Sequence, residues 1–414
     1  MKKVLFFPCM VTLLVLTACA SPTGVGTTHS SSPDQVATIV AETMGTGLTN
    51  TPVENTPEPS TELLPHALYY LSNDGLYRRE NGTMFLQVYR MERDGKTVTR
   101  LTEEPNGVDG YDISPVDGSV AYIADNQLLL VKLKGSDRRV LVDGGSERLE
   151  DNPLFYKDPL SRPLFSPDGQ TIAYNRRGLY FYDITTGLST LVIEDENPGP
   201  IFETYYSPVR FFPDGKKLLV SLSQWEAPPV YAIYHLETGE LVRPSKGERD
   251  FCCGEPLWSS DGSGFYGAAM VPQYAFGTGE IWWVDAETGK VTTLFPFDAN
   301  NETFITPLAP FFAPDGQLYF FLGTYRMDSG YFEPPLLQLV RAAPDGVTDR
   351  TVIRNENFVM MNEALWAPDA SFVIVAIAPS RFWREIGVLE MYYTDAQKSP
   401  IWLAPIGSQL KWGP

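Results

Sequence analysis

One short turn recurs along this chain at nearly constant spacing, and it restricts the fold more than any other feature. From Arg162 to Tyr174 the sequence reads RPLFSPDGQTIAY: an apolar run ending in an aromatic, then Ser166, Pro167, Asp168 and Gly169, then a second run alternating toward Tyr174. Proline presets φ for the first corner of a turn, aspartate hydrogen-bonds back to its own backbone, and glycine takes the positive φ that other residues resist. The stretch is therefore predicted to be a β-hairpin. Five other segments share its shape: DISPVDGSVAYIA, VRFFPDGKKLLVSL, PLWSSDGSGFYGAA, PFFAPDGQLYFFL and ALWAPDASFVIVAI. The turn aspartates are Asp117, Asp168, Asp214, Asp261, Asp315 and Asp369, separated by 51, 46, 47, 54 and 54 residues. A period near 50 is that of a propeller blade.

Between these hairpins lie further β-rich runs, LYFYDITTGLSTLV, VYAIYHLETGELV and IWWVDAETGKVTTL. Their Thr-Gly turns, at Thr186, Thr238 and Thr288, join a third strand to a fourth. No long segment has a helical period. Four antiparallel strands per repeat make small sheets that must bury both faces against neighbours, and radial closure achieves this. The fold predicted is all-β, a seven-bladed β-propeller of four-stranded antiparallel blades. The large residues before the turns, Phe165, Phe211, Trp258, Phe312 and Trp366, are expected to pack between blades. The stretch from His66 to Thr102 supplies strands two to four of a blade without its innermost strand, and QLKWGP at the C-terminus matches the start of a repeat. The C-terminal strand is thus expected to close the first blade.

These SPDG-type turns followed by an alternating strand resemble the WD-repeat-like blades of TolB-type β-propellers across residues 65–414. Asp117 has an extra residue before it, Phe212 and Ser260 replace the usual small residue and proline, and Ala370 replaces glycine. TolB-type proteins also carry an N-terminal α/β domain, and this chain has a different segment there, so their specific role is not implied.

That N-terminal segment has two parts. Lys2 and Lys3 precede an apolar run from Val4 to Leu16, too short to span a bilayer comfortably and typical of a secretory signal. Leu16, Thr17, Ala18 and Cys19 resemble the bacterial lipobox, which implies residues 1–18 as a lipoprotein signal peptide and Cys19 as the lipid attachment site. Several acyl chains anchor firmly where one is marginal. Residues 20–64 are dense in Thr, Ser, Pro and Gly and hold no Lys or Arg. Such a segment buries too little apolar surface to fold, so 19–64 reads as a lipid-anchored disordered tether with a reach of roughly 35–40 Å. Residues 65–414 form the propeller domain, at the extracytoplasmic side of a bacterial membrane.

The chain has a formal net charge of −19. Counterion release cannot drive such a surface onto nucleic acid, and anionic headgroups repel it, so its membrane contact is through the anchor alone. Nucleophilic hydrolase chemistry has no Gly-x-Ser-x-Gly elbow here, and no phosphate-cradling or dinucleotide motif is present. The Asp-Gly turns lack the ligand series of a calcium loop. Among the three histidines, His66 and His235 fall in the propeller domain with nothing sequence-local to partner them. No catalytic residue, metal or cofactor is assigned.

Two sets of residues remain as site candidates. Cys252 and Cys253 stand side by side before Glu255 and Trp258, either as a strained vicinal disulfide against which a ligand lies or as two small buried thiols. On the innermost strands, Asp112, Arg210 and Lys411 precede the last apolar residue of the strand, and Arg162, Glu255, Glu363 and Gln409 stand three before it. Facing the channel, they would make a polar pocket of mixed charge. The function expected is binding or scaffolding of an extracytoplasmic protein, peptide or glycan. The second reading is a polysaccharide lyase or hydrolase with its site at the channel.

Overall fold

The computed structural model describes residues 62–73, 85–150, 153, 155–196, 204–224, 227–246, 249–250, 256–259, 262–270, 278–296, 303–326, 336–359, 361–377 and 386–414. Among them are antiparallel strands, one short 3-10 turn at Leu133–Gly135 and no α-helix. No helix among the described residues is long and apolar enough to cross a membrane.

The strands form a β-propeller. Five four-stranded sheets span residues 110–143, 161–194, 205–242, 257–295 and 303–359, each with its strands in sequence order. The first strands at 110–113, 161–165 and 205–211 touch in succession, as do those at 303–312, 361–366 and 401–412. A sixth, seven-stranded sheet joins the two ends of the chain through the strand Ile401–Trp412. Its first half pairs with Gly387–Tyr393, and its second half pairs Ser408, Lys411 and Trp412 with Leu71, Tyr69 and Leu68. One strand thus ends one four-stranded unit and opens the next, and the C-terminus closes the first blade as expected. A small ladder, Ser245–Lys246 with Arg249–Asp250, lies in the connection before residue 257.

The turn chemistry is as the sequence requires. Gly169 has φ +68° and its amide donates to the Ser166 carbonyl, while Asp168 Oδ1 accepts from the Gln170 amide at 3.0 Å. The same aspartate bond recurs at Asp214, Asp315 and Asp369. Ala370 occupies the glycine position at φ +59°, in the left-handed conformation the turn demands. In the third-to-fourth turns, Asp94, Asp183, Asp285 and Asp345 each accept the amide of the threonine three residues on.

Packing lies between sheets rather than within them. Val120, Tyr122 and Leu129 of one sheet join Tyr69, Leu71 and Val88 of its neighbour in one cluster, and their side chains are almost wholly buried. Each such side chain contributes about 1.5–3 kcal/mol relative to exposure. Phe165, Phe211 and Trp366 are buried between sheets, as their place before the turn predicts, and Trp258 is half-buried against Phe212 and Phe265. Phe312 departs from the expectation, being 38% exposed. Its ring meets Tyr266 of the preceding sheet edge-on at 6.4 Å, while the neighbouring Phe311 stacks on Trp366 with centroids 5.6 Å apart.

The connections fall at two ends of the strands. First-to-second and third-to-fourth turns are short corners at one end, most of them containing Asp. Second-to-third and sheet-to-sheet connections share the other end, where lengths vary from none within Ile401–Trp412 to 17 residues between Arg139–Asp143 and Ser161–Phe165.

Candidate functional site

The first strands are irregular for a local reason. Register shifts interrupt their pairing at Ser161/Leu164, Pro208/Arg210, Leu308/Phe311 and Met361/Glu363, and a fifth interrupts the Tyr69/Leu71 pairing with the closing strand. A bulge adds one residue and re-aims a side chain. Three bulges use a left-handed residue that is not glycine: Arg162 at φ +54°, Ala309 at +46° and Gln409 at +50°. Each stands three residues before the aromatic position, so the distortion belongs to the repeat.

Two of the sequence candidates are directly paired. Asp112 Oδ1 accepts from Lys411 Nζ at 2.7 Å, and its Oδ2 accepts from the buried Phe165 amide at 2.7 Å. Lys411 also lies 5.4 Å from the centre of the Tyr111 ring, and the Tyr111 hydroxyl donates to the Gln409 carbonyl at 2.6 Å. Glu363 Oε1 accepts from the Leu410 amide at 2.7 Å. The seam where the closing strand enters therefore gathers Asp112, Glu363, Gln409 and Lys411. Burial raises the Tyr111 hydroxyl well above the usual tyrosine range, and the negative charges of Glu363 and Asp112 push it the same way.

Arg162 is exposed at its bulge, and Arg210 is half-buried on the next first strand. Neither histidine lies on a first strand. His66 precedes Leu68–Ser72, and His235 ends a third strand opposite Lys217, with Nε2 buried and without a hydrogen-bond partner. Glu255, Cys252 and Cys253 lie outside the described residues.

Other polar groups of the first strands also join neighbouring sheets. Trp366 Nε1 donates to the Ala309 carbonyl at 2.9 Å, Trp412 Nε1 donates to the Trp366 carbonyl at 2.8 Å, and the Tyr266 hydroxyl accepts from the Phe312 amide. Phe165, Phe312, Trp366 and Trp412 thus each donate an N–H to the preceding sheet, whereas Trp258 Nε1 is buried without a partner among the described residues. Residues of this kind cannot be separated from core aromatics by their local sequence, since the acceptor is about one blade away.

One buried network had no sequence candidate. The Glu104 side chain is 4% exposed and accepts from Arg138 Nε at 2.8 Å, Arg138 Nη2 at 3.1 Å and the Tyr122 hydroxyl at 2.7 Å. Its backbone is held by Gln87, whose Nε2 donates to the Glu104 carbonyl at 2.7 Å and whose Oε1 accepts the Glu104 amide at 3.0 Å. Burial alone would raise the Glu104 carboxyl, but hydrogen bonds from Arg138 and Tyr122 outweigh it and hold the group below the usual range. Among the described residues, no three His, Cys, Asp or Glu side chains converge as a metal-ligand set.

No protein-family model matches the chain, and no curated protein sequence matches it. Solved structures do. A prolyl endopeptidase structure has a TM-score of 0.51 at 14% identity, covering 84% of this chain and 51% of its own. TolB from Acinetobacter baumannii has a TM-score of 0.39 at 13% identity, with 80% of this chain and 79% of that chain covered. TolB from Agrobacterium tumefaciens has a TM-score of 0.40 at 17% identity, with 74% and 95% covered. The chain spans about half the length of the prolyl endopeptidase it matches. At such identities the likeness concerns the fold alone.

Proposed function

We propose that this chain is a protein-binding β-propeller held at the extracytoplasmic face of a bacterial membrane through a lipid on Cys19. In this reading residues 1–18 are a signal peptide, residues 19–64 a tether, and residues 65–414 a ring of seven blades, counting as two the units that share Ile401–Trp412. The observation that carries binding over catalysis is the use made of the charged groups on the first strands. Asp112 is spent on Lys411 and a buried amide, and Glu363 on the Leu410 amide. A general acid or base must reach substrate with a proton to give or take, and carboxylates fixed as backbone acceptors are structural fasteners instead.

Recognition then falls to what differs between blades, which is the end of the strands carrying the long connections. Cys252 and Cys253 belong by sequence to one of them, and we propose a vicinal disulfide there as a contact for the partner. Mass measurement of the non-reduced peptide should be two hydrogens below the dithiol; two free thiols contradict it. For anchoring, the full chain should sediment with membranes and carry a lipid on the Cys19 peptide, while Cys19→Ala releases it. For binding, the full chain incubated with envelope fractions should retain a protein in a fixed ratio. Turnover of polysaccharide with no protein retained would overturn the reading.

A further inference from the structure

The longest connection at the variable end carries a small ladder of its own. It leaves the strand Arg139–Asp143 and returns to Ser161–Phe165. The Arg148 and Tyr156 backbones bridge, the Leu149 amide donates to the Phe155 carbonyl at 3.0 Å, and the Lys157 amide donates to the Glu147 carbonyl at 2.8 Å. Lys157 and Glu147 also form an ion pair at 3.3 Å. The guanidinium of Arg148 lies 3.4 Å from the Tyr156 ring centre. Side chains alternate across such a ladder, so Leu149 and Phe155 share the opposite side, and they are 37% and 58% exposed.

Its base is fixed from two neighbouring turns. Asn126, 2% exposed and left-handed at φ +59°, donates from Nδ2 to the Gly145 and Asp158 carbonyls at 2.9 and 3.1 Å and accepts the Leu160 amide at 2.8 Å. Arg177, at φ +48° in the adjacent sheet, forms an ion pair with Asp158, Nε 2.7 Å from Oδ1, and donates to the Lys157 carbonyl at 3.1 Å. Two left-handed non-glycine residues each carry a conformational cost, and such costs persist where the surroundings over-determine the geometry. Here what they hold is an exposed aromatic that belongs to none of the core clusters.

Resting on the protein-binding reading, the geometry points to residues 147–150 and 155–157 as the docking arm, with Phe155 and Leu149 entering an apolar pocket rimmed by Lys or Arg on a partner protein. The anchor is pre-organised, so little ordering entropy opposes its insertion. Aromatic anchors of this kind dominate interface energies. The basic rim follows from charge. On the arm Lys157 offsets Glu147, Arg177 offsets Asp158 and Arg148 stands two residues from Glu150, so the described charges there balance and the bias is that of the chain. The chain as a whole carries −19, which steers basic surfaces toward it.

The test places a photo-crosslinking amino acid at Phe155, at Tyr205 on the same end, or at Gln317 in an Asp-Gly turn at the other end, in the full chain and in the cells that make it. The expected result is one protein adduct from position 155, none from 317, mapped by mass spectrometry to apolar residues flanked by Lys or Arg. Adding Leu149→Asp and Glu150→Lys should weaken that adduct at least tenfold while the urea midpoint stays unchanged. Adducts from 205 or 317 without one from 155 would overturn the arm and leave the binding reading intact. No adduct from any position would overturn both. An adduct from 155 to a second copy of the chain, to lipid or to glycan would refute the partner assigned to it.

Discussion

Removing the carboxylate of Glu104 should cost more than any surface ion pair in the molecule, and the size follows from what each of its partners can do without it. Tyr122 is 1% exposed, so its hydroxyl, bonded to Glu104 at 2.7 Å, has no water to turn to. An unsatisfied buried donor costs about 1–3 kcal/mol. The Arg138 side chain is 49% exposed and rehydrates, so the ion pair itself contributes about 0–1 kcal/mol. Losing the buried Cγ methylene adds about 0.8 kcal/mol. Glu104→Ala is therefore expected to lower unfolding free energy by about 2–5 kcal/mol, read from urea midpoints at pH 7. Glu104→Gln keeps the shape and an acceptor for Tyr122, and should cost about 1–2 kcal/mol. Adding Tyr122→Phe to Glu104→Ala removes the stranded hydroxyl and should recover about 1 kcal/mol or more. The pH dependence has a definite sign. Because the folded state holds the Glu104 carboxyl below its usual range, its stabilisation is present above about pH 4.3 and is lost as pH falls through the folded value. The gap between wild type and Glu104→Gln should narrow on acidification. A gap that is constant with pH, or a double variant no better than Glu104→Ala, would refute the reasoning.

Three further outcomes follow from the same strands. Asp112→Asn keeps an acceptor for the buried Phe165 amide and loses only the partly exposed pair with Lys411, so it should cost about 1 kcal/mol; Asp112→Ala strands the amide and should cost about 1–3 kcal/mol more, by urea denaturation. At the Arg162 bulge, φ +54°, Arg162→Gly should leave stability within about 1 kcal/mol of wild type, whereas Arg162→Val should lose more than about 1 kcal/mol; equal losses would contradict the left-handed assignment. Asp285 and Asp345 are held below the usual aspartate range, Asp285 by the Thr288 hydroxyl and amide, Asp345 by the Thr348 hydroxyl and the Val347 and Thr348 amides. Their stabilisation is present above about pH 3.9 and lost below it, so a variant with Asn at both should have a flatter melting-temperature profile between pH 5 and pH 3.

What the sequence made legible was local. The Asp168-Gly169 turn and its repeats announce themselves because the residues that make each turn adjoin one another. Even the departure at Ala370 is a substitution within a four-residue motif, and the backbone there still adopts the glycine conformation. The closure by Ser408–Trp412 was also legible, since QLKWGP matches the opening of a repeat and the first blade lacks one strand. Register was not. The one-residue bulge in the strand Thr303–Phe312 and the stacking of Phe311, rather than Phe312, on Trp366 have no mark in PFFAPDG. The charges on the first strands were visible in the sequence as residues, but not their pairing, which joins residues 299 apart in the case of Asp112 and Lys411. The Glu104 network and the arm at 147–150 and 155–157 escaped for the same reason, because Asn126 and Arg177 look like ordinary turn residues until the connection they hold is folded over them.

The structural claim on which the rest depends is that the last strand completes the first blade. In the register observed, Leu71 faces Ser408 across the seam. With Cys252 and Cys253 changed to Ser, the pair Leu71→Cys and Ser408→Cys should oxidise to a disulfide that peptide mapping assigns to these two positions in the folded, full-length chain. The account predicts that bond in most molecules, together with a higher urea midpoint than the reduced form. Two free thiols under the same oxidation, in protein that keeps its β-sheet spectrum, would contradict it.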